Sequence, residues 1–270
     1  MLRAILALAL TVLSPASLLA EDVRLTRLDT GESGRGWEAV GRLDLGGRGF
    51  CTGALIAPDQ VLTAAHCLYD KASGERIDPS SIEFLAGWRN GRAEAYRQVR
   101  QAVLHPDYRY EDAASPERMR NDIALLHLTQ PIRNTSVVPF RTGHDPEAQA
   151  RVGVVSYARD RAEAPSLQEV CEVQARRRGV LVMDCAVDFG ASGAPVFSFG
   201  ADGPRIVSVV SGMAEMEGRP VSLGTALEAP VALLQGMLTA RRTRMSGGDA
   251  LRRVPADGTP RDIGAKFIRP

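Results

Sequence analysis

The sequence predicts an all-β protein of two antiparallel β-barrels followed by one C-terminal helix. Three observations carry that prediction. Short β-like runs punctuated by Gly, Pro, Asn and Asp dominate the chain. The runs form two groups on either side of the polar stretch from Thr129 to Glu147, which favours two barrels over one large sheet. Helix signals are concentrated in one segment near the C-terminus.

The first group comprises Trp37 to Leu45, Phe50 to Ala57, Val61 to Ala65, Ile82 to Trp88, Tyr96 to Leu104 and Ile123 to Leu128. Pro58-Asp59 and Asn90-Gly91 supply turns within it. The second group comprises Val152 to Tyr157, Leu167 to Val173, Val180 to Met183, Pro195 to Phe199, Ile206 to Val210 and Val221 to Ala226, with Ala201-Asp202-Gly203 as a turn. Pro230 to Arg242 reads as the helix: Pro stands early, Leu233-Leu234 are good helix formers, and basic residues sit where the dipole favours them. No internal repeat at a fixed period is present.

The ends differ in character. Arg3, the apolar run Ala4 to Leu13, and small Ala20 before Glu21-Asp22 describe a secretory signal peptide. That run is too short for the roughly 20 residues of a membrane-spanning helix, so stable membrane insertion is not expected; an uncleaved N-terminal anchor is the alternative. The expected organisation is a signal peptide over 1–20 and an N-terminal segment or short propeptide over 21–36. A single domain follows over 37–245, with barrels over about 37–130 and 148–228 and the helix over about 229–242. A polar, Gly- and Pro-rich tail occupies 246–270.

Composition excludes some functions. With 33 basic and 32 acidic residues among 270, the net charge of +1 gives no electrostatic footprint for nucleic acid or acidic lipid. Aromatic residues make up 5%, which gives base stacking little support. Four cysteines in an exported chain point to two disulfides, with three connectivities allowed. Sequential pairing, Cys51 with Cys67 and Cys171 with Cys185, is expected because each pair flanks a strand–turn–strand unit. No pair has zinc-knuckle spacing, so neither a metal site nor a cofactor is expected.

Three local patterns carry chemistry. Leu62-Thr63-Ala64-Ala65-His66-Cys67 places a histidine at the end of an apolar strand, tied down by a nearby cysteine. Serine nucleophiles need such a positioned base, because free serine is weak until a group in hydrogen-bond reach takes its proton. Asn121-Asp122-Ile123-Ala124-Leu125-Leu126 places a carboxylate at the head of an apolar strand, where it can orient an imidazole. Gly190-Ala191-Ser192-Gly193-Ala194-Pro195 surrounds a serine with small residues that allow a sharp turn with exposed N–H groups, as an oxyanion hole requires. Each is a weak signal alone; together, in the order His, Asp, Ser, they point to nucleophilic serine chemistry.

On those runs, with His105-Pro106-Asp107-Tyr108 and the strand Ile206 to Ser211, the chain resembles the chymotrypsin-like (trypsin-fold) serine proteases. Its flavour is that of bacterial exported members related to the glutamyl endopeptidases. The likeness extends from about Trp37 to the helix near Arg242. It implies two antiparallel six-stranded β-barrels with the site in the cleft between them. By position it implies His66 as base and then acid, Asp122 as its orienter, Ser192 as nucleophile, and the N–H groups of Gly190 and Ser192 as oxyanion hole. It further implies a Cys51–Cys67 disulfide closing the histidine loop, and Ser211 beside Asp122 at the start of a strand that pairs with substrate backbone.

The chain departs from that pattern twice. Residue 191 is Ala, where the pancreatic-type enzymes carry an aspartate that pairs with a new N-terminal amine. No Ile-Val-Gly-Gly start lies between Asp22 and Trp37, and Arg24, Arg27 and Arg35 are processing candidates with nothing to choose among them. The base of the primary pocket falls near Ala186 and Val187, which excludes the buried aspartate of trypsin-like specificity. Val210 stands where a glutamyl endopeptidase would place histidine. With Phe189, Gly212 and Met213, the pocket reads as apolar, and Asp188 as a solvated loop residue. The expected protein is a monomeric serine endopeptidase, secreted or periplasmic, acting on protein or peptide substrates. A catalytically silent binding or regulatory relative is the alternative.

Overall fold

A computed structural model of the chain describes residues 25–110 and 115–250. The expected signal peptide, the first residues of the N-terminal segment and most of the tail lie outside these residues. Strands β1 (Leu25–Arg27), β2 (Val40–Asp44), β3 (Phe50–Ala57), β4 (Gln60–Thr63), β5 (Glu83–Ala86) and β6 (Ala95–Leu104) come first, then a short helix α1 (Pro116–Arg120) and β7 (Ala124–Leu128). The second half carries β8 (Arg141–Thr142), β9 (Arg151–Ser156), β10 (Ser166–Arg177), β11 (Val180–Met183), β12 (Pro195–Gly200), β13 (Gly203–Met216) and β14 (Arg219–Ala226), and ends in helix α2 (Glu228–Ala250).

Two closed barrels result. In the first, β2, β3, β4, β7, β6 and β5 close in that order with every pairing antiparallel. In the second, β10, β11, β14, β13, β12 and β9 form the ring, closed by β9 against β10. Two short strands unforeseen in the sequence decorate it: β1 pairs antiparallel with β10, and β8 runs parallel to β13. Closure pairs most of the strand edges, which when free invite aggregation.

Burial explains why the apolar runs became strands. All five residues of β7 are buried, since one face fills the barrel and the other is covered by neighbouring elements. Val231, Leu234 and Leu238 bury one face of α2 in the core cluster of the first barrel. Their i, i+3, i+7 spacing is that of a helix face. The helix thus follows the second barrel in the chain but packs over the first. Trp37 meets Phe140 and Phe197 at ring-centroid distances of 5.8 and 5.0 Å, joining the barrels through aromatic contacts. A separate cluster, including Val154, Leu181, Met183, Ala191, Val196 and Val210, fills the second barrel.

Tight turns set the registers of the long hairpins. Arg178-Gly179 between β10 and β11, and Glu217-Gly218 between β13 and β14, have both residues at positive φ (49° and 81°; 52° and 74°). These are the signs of two-residue turns whose twist matches that of the flanking strands. The disulfides are Cys51–Cys67 and Cys171–Cys185, the sequential pairing. The helix expected over about 229–242 runs from Glu228 to Ala250, so its last turns take in residues assigned above to the tail.

Gly193 provides a direct test of this packing. Its φ is +75°, and a Cβ there would run into Thr63 Oγ1 and lie 2.5 Å from the Thr52 carbonyl oxygen. Gly193→Ala therefore combines left-handed strain with a clash against buried backbone. It should cost about 3–5 kcal/mol, read as a lowered urea midpoint at unchanged m-value. A midpoint near that of the parent protein would show that the loop is free to move.

Candidate active site

The histidine is positioned by three local devices. Strand β4 ends at Thr63, and a tight turn over Ala65–Leu68 carries His66 beneath the surface at 8% exposure. Cys67 ties that turn to Cys51 on β3. Beyond it, Tyr69 pairs with Arg76 in an isolated bridge.

The carboxylate arrives from another part of the same barrel. Ser115 caps α1 by accepting from the Arg118 N–H, Pro116 occupies the first helical turn, and the helix ends at Asn121. Asp122 follows at 1% exposure. Its Oδ1 accepts the His66 backbone N–H at 2.8 Å, and its Oδ2 meets His66 Nδ1 at 2.6 Å. Ser211 on β13 donates its hydroxyl to the same Oδ2 at 2.5 Å. The Thr225 hydroxyl of β14 donates to the Met119 carbonyl at 2.6 Å, with the Asp122 carbonyl at 3.3 Å. The second barrel thereby fixes an acid belonging to the first.

Burial alone would push the Asp122 carboxyl up. The facing His66 and the hydrogen bonds from His66 and Ser211 outweigh it and hold the group below the ordinary carboxylate value. With Nδ1 committed to the carboxylate, Nε2 is the nitrogen left to exchange a proton elsewhere.

Ser192 is half-buried and lines the same cleft as His66, Gly190 and the Cys51–Cys67 bridge. Gly190 has φ +101°, a conformation open to glycine alone, and a Cβ there would lie 2.5 Å from the Phe50 ring. Ala191, where a charged residue would mark an activation switch, is fully buried in the second barrel's core. The Cys51 and Cys67 sulfurs and a His66 ring nitrogen lie within 4.8 Å of one another, but both sulfurs are spent on the disulfide, leaving no thiolate to hold a metal.

The residues expected to shape the substrate pocket separate into three places. Ser211, Gly212 and Met213 lie on β13, where β14 pairs on one side while the pairing with β12 has ended at Val209. Among the described residues no strand pairs with their other edge, which is open to an extended chain. Ala186 and Val187, both half-buried, lead into the serine loop, and the Ala186 N–H donates to Gln168 Oε1 at 2.8 Å. Asp188 is exposed, its carboxylate accepting from the Phe189 N–H. Phe189 instead lines the cleft beside the Cys51–Cys67 bridge, where the Arg159 guanidinium sits 4.8 Å from its ring centroid. The other histidines are accounted for locally: His127 meets Asp59 at 3.3 Å and exposed His144 meets Glu228 at 3.1 Å, while exposed loop residue Asp107 donates its N–H to His105 Nδ1 at 3.3 Å.

An imidazole–carboxylate pair and a half-buried serine, set between two six-stranded barrels, form the architecture of trypsin-fold serine proteases. The chain belongs to the trypsin family: the family model Trypsin matches residues 31–216, more than half of its length. It is 30% identical over 125 residues to mannan-binding lectin serine protease 1 of Homo sapiens, covering 42% of this chain and 17% of that protein. Coagulation factor XII of Cavia porcellus is 37% identical over 82 residues, covering 30% of this chain and 12% of that one. Trypsin of Sarcophaga bullata is 29% identical over 91 residues, covering 34% and 32%. Each alignment thus spans less than a third of the relative's own length. A solved structure described as a Glu endopeptidase in complex with MPD superposes with a TM-score of 0.65 at 18% identity, covering 80% of this chain and 97% of that one. That likeness is one of fold.

Proposed function

We propose that the protein is an exported serine endopeptidase that hydrolyses peptide bonds through an acyl-enzyme on Ser192. The observation that carries this reading is the buried Asp122–His66 pair at 2.6 Å, opening into the cleft that Ser192 lines. In the proposed reaction, His66 Nε2 takes the Ser192 hydroxyl proton as Oγ attacks the substrate carbonyl. The N–H groups of Gly190 and Ser192 hold the oxyanion. His66 then gives that proton to the departing amine, and the C–N bond breaks. Water, deprotonated by the same imidazole, attacks the ester, and its proton returns to Ser192 as the acid leaves. Asp122 stays ionised throughout and stabilises the imidazolium.

An apolar primary pocket is part of the proposal. Ala186 and Val187 bring no charge, and Asp188 faces solvent, so an uncharged side chain of moderate size before the cut bond fits best. The two disulfides support an oxidising compartment, secreted or periplasmic. Among the described residues no helix is long and apolar enough to cross a membrane.

The test combines a diverse peptide mixture with a fluorophosphonate probe, applied to the protein and to Ser192→Ala. Cleavage within peptides together with labelling, both lost in the variant, supports the reading. Intact peptides and an unlabelled protein would instead mark a silent member of the family.

A further inference from the structure

The activation pair that the serine loop lacks, given Ala191, has a neutral counterpart across the barrel interface. Thr52 on β3 is fully buried next to Cys51. Its N–H donates to the Ser192 carbonyl at 2.9 Å. Its hydroxyl donates to the Gly190 carbonyl at 2.9 Å and accepts from the Tyr157 N–H at 3.1 Å. Its own carbonyl accepts from the Thr63 hydroxyl at 2.9 Å.

The direction of these bonds follows from proton count. An amide N–H can only donate, so Tyr157 occupies a lone pair of the Thr52 oxygen. A carbonyl can only accept, so the single hydroxyl proton goes to Gly190. Tyr157 is itself anchored, fully buried with its phenol donating to the Trp88 carbonyl at 2.9 Å. The serine loop is thus gripped on both sides of Ala191, at the carbonyls of residues 190 and 192. Gripping the Gly190 carbonyl anchors the C-terminal side of that residue, which stands at φ +101°, while the Phe189 carbonyl, in the same peptide plane as the Gly190 N–H, accepts from the Arg159 N–H at 2.7 Å.

We propose that Thr52 is the positioning residue of the oxyanion loop, doing with one hydroxyl what a carboxylate–amine pair does elsewhere in the family. The proposal rests on the peptidase reading above. It implies that the loop takes its working shape as soon as the barrels dock, with no requirement for a freshly cut N-terminus.

Thr52→Val keeps the shape and removes the hydroxyl, leaving a buried acceptor and a buried donor unpaired. Losing one oxyanion donor lowers kcat about 10²- to 10³-fold, so a loop merely loosened should lose about 10- to 100-fold. KM should change little, and affinity for a peptide boronate, whose tetrahedral adduct fills the hole, should fall in parallel with kcat/KM. Thr52→Ser retains both bonds and should stay within about threefold of the parent. Should the valine variant not fold, Thr52→Ala is measured in the same way. A folded valine or alanine variant with parental kcat, or a serine variant as impaired as the valine one, overturns the proposal. Parental protein that neither cleaves nor labels refutes the peptidase reading itself, a distinguishable result.

A different observation carries a second inference. The cleft of about 240 Å³ beside Ser192 is lined by Arg48, Lys71 and Arg159, and no carboxylate shares that lining. Lys71 and Arg159 flank Phe189, at 5.7 and 4.8 Å from its ring centroid. Arg48 pairs with Asp70 at 3.0 Å. The acyl half of a substrate follows the open edge at Ser211 to Met213, and none of those residues lines this cleft, so it receives the leaving half. We infer that the cleft selects peptides with acidic residues just after the cut bond, an inference that again rests on the peptidase reading.

Quenched fluorogenic peptides carrying Glu or Lys at the first three positions after a common cut bond test this. Exposed ion pairs of this kind change an equilibrium up to about fivefold each, so kcat/KM should favour the acidic series about 5- to 25-fold at low salt, less at high salt. Lys71→Glu with Arg159→Glu should reverse the order. Equal cleavage of both series at low salt overturns the inference while leaving the peptidase reading intact.

Discussion

Replacing Ser192 with alanine is expected to lower kcat by about 10⁴- to 10⁶-fold and to leave the fold intact. The side chain is half-buried in a cleft, and alanine fits the same backbone, so unfolding is not the cause to look for. What disappears is the atom proposed to form the acyl-enzyme. The Thr52 N–H grips the residue's carbonyl, which alanine keeps, so the loop should hold its shape. Rates on a peptide ester, fluorophosphonate labelling and a thermal melt check the three parts. Parental turnover by the variant would show that another group is the nucleophile.

Asp122→Asn should come close behind, with a loss of about 10⁴ in kcat. The carboxylate accepts from three donors: the His66 N–H at Oδ1, and His66 Nδ1–H with the Ser211 hydroxyl at Oδ2. An amide has one oxygen and one NH₂. If the oxygen keeps the backbone N–H, the NH₂ faces Nδ1, which must become an acceptor, so the imidazole carries its proton on Nε2 and cannot accept from Ser192. If the amide turns over, its NH₂ confronts the backbone N–H. Either arrangement spoils the base.

The acid also shapes stability. Its native pKa lies below its unfolded value, so its contribution is present above about pH 4 and is lost as pH falls through the lowered pKa. The asparagine variant should show a flatter decline in stability over that acid range. Parental activity across neutral pH, or an unchanged acid limb, would argue against an ionised, engaged Asp122.

Most strands were legible because apolar residues and turn residues alternated on the right scale, and each expected run overlaps an observed strand. Lengths were less so. Strands β10 and β13 continue past bulges at Val173/Ala175 and Val210/Gly212 to Arg176-Arg177 and Glu215-Met216, where charged side chains interrupt the hydrophobic pattern. The hairpins at Arg178-Gly179 and Glu217-Gly218 place charged residues at positive φ, where Asn or Asp would have announced a turn. Helix α1 is too short for a period to show; its one signal was Ser115-Pro116.

At the site, His66, Asp122 and Ser192 stood out because each sits in a distinctive local run. Thr52 did not. It lies 138 residues from Gly190 and 105 from Tyr157, and a threonine in a strand carries no mark of what it will meet. Arg48, Lys71 and Arg159 were hidden in the same way, since only the fold gathers loops from both barrels around Phe189.

The position of α2 bears on when the molecule becomes complete. The helix is encoded after both barrels, yet Val231, Leu234 and Leu238 join the first barrel's core. During synthesis the histidine-bearing half therefore waits with an uncovered apolar face until the final strands have been made. Since Ser211 and Thr225, which secure Asp122, also come late, a ribosome-bound fragment holding only the first barrel has neither a finished core nor an oriented base. The order of the chain thus leaves the imidazole–carboxylate pair without its supports from the second barrel until β13 and β14 have been made.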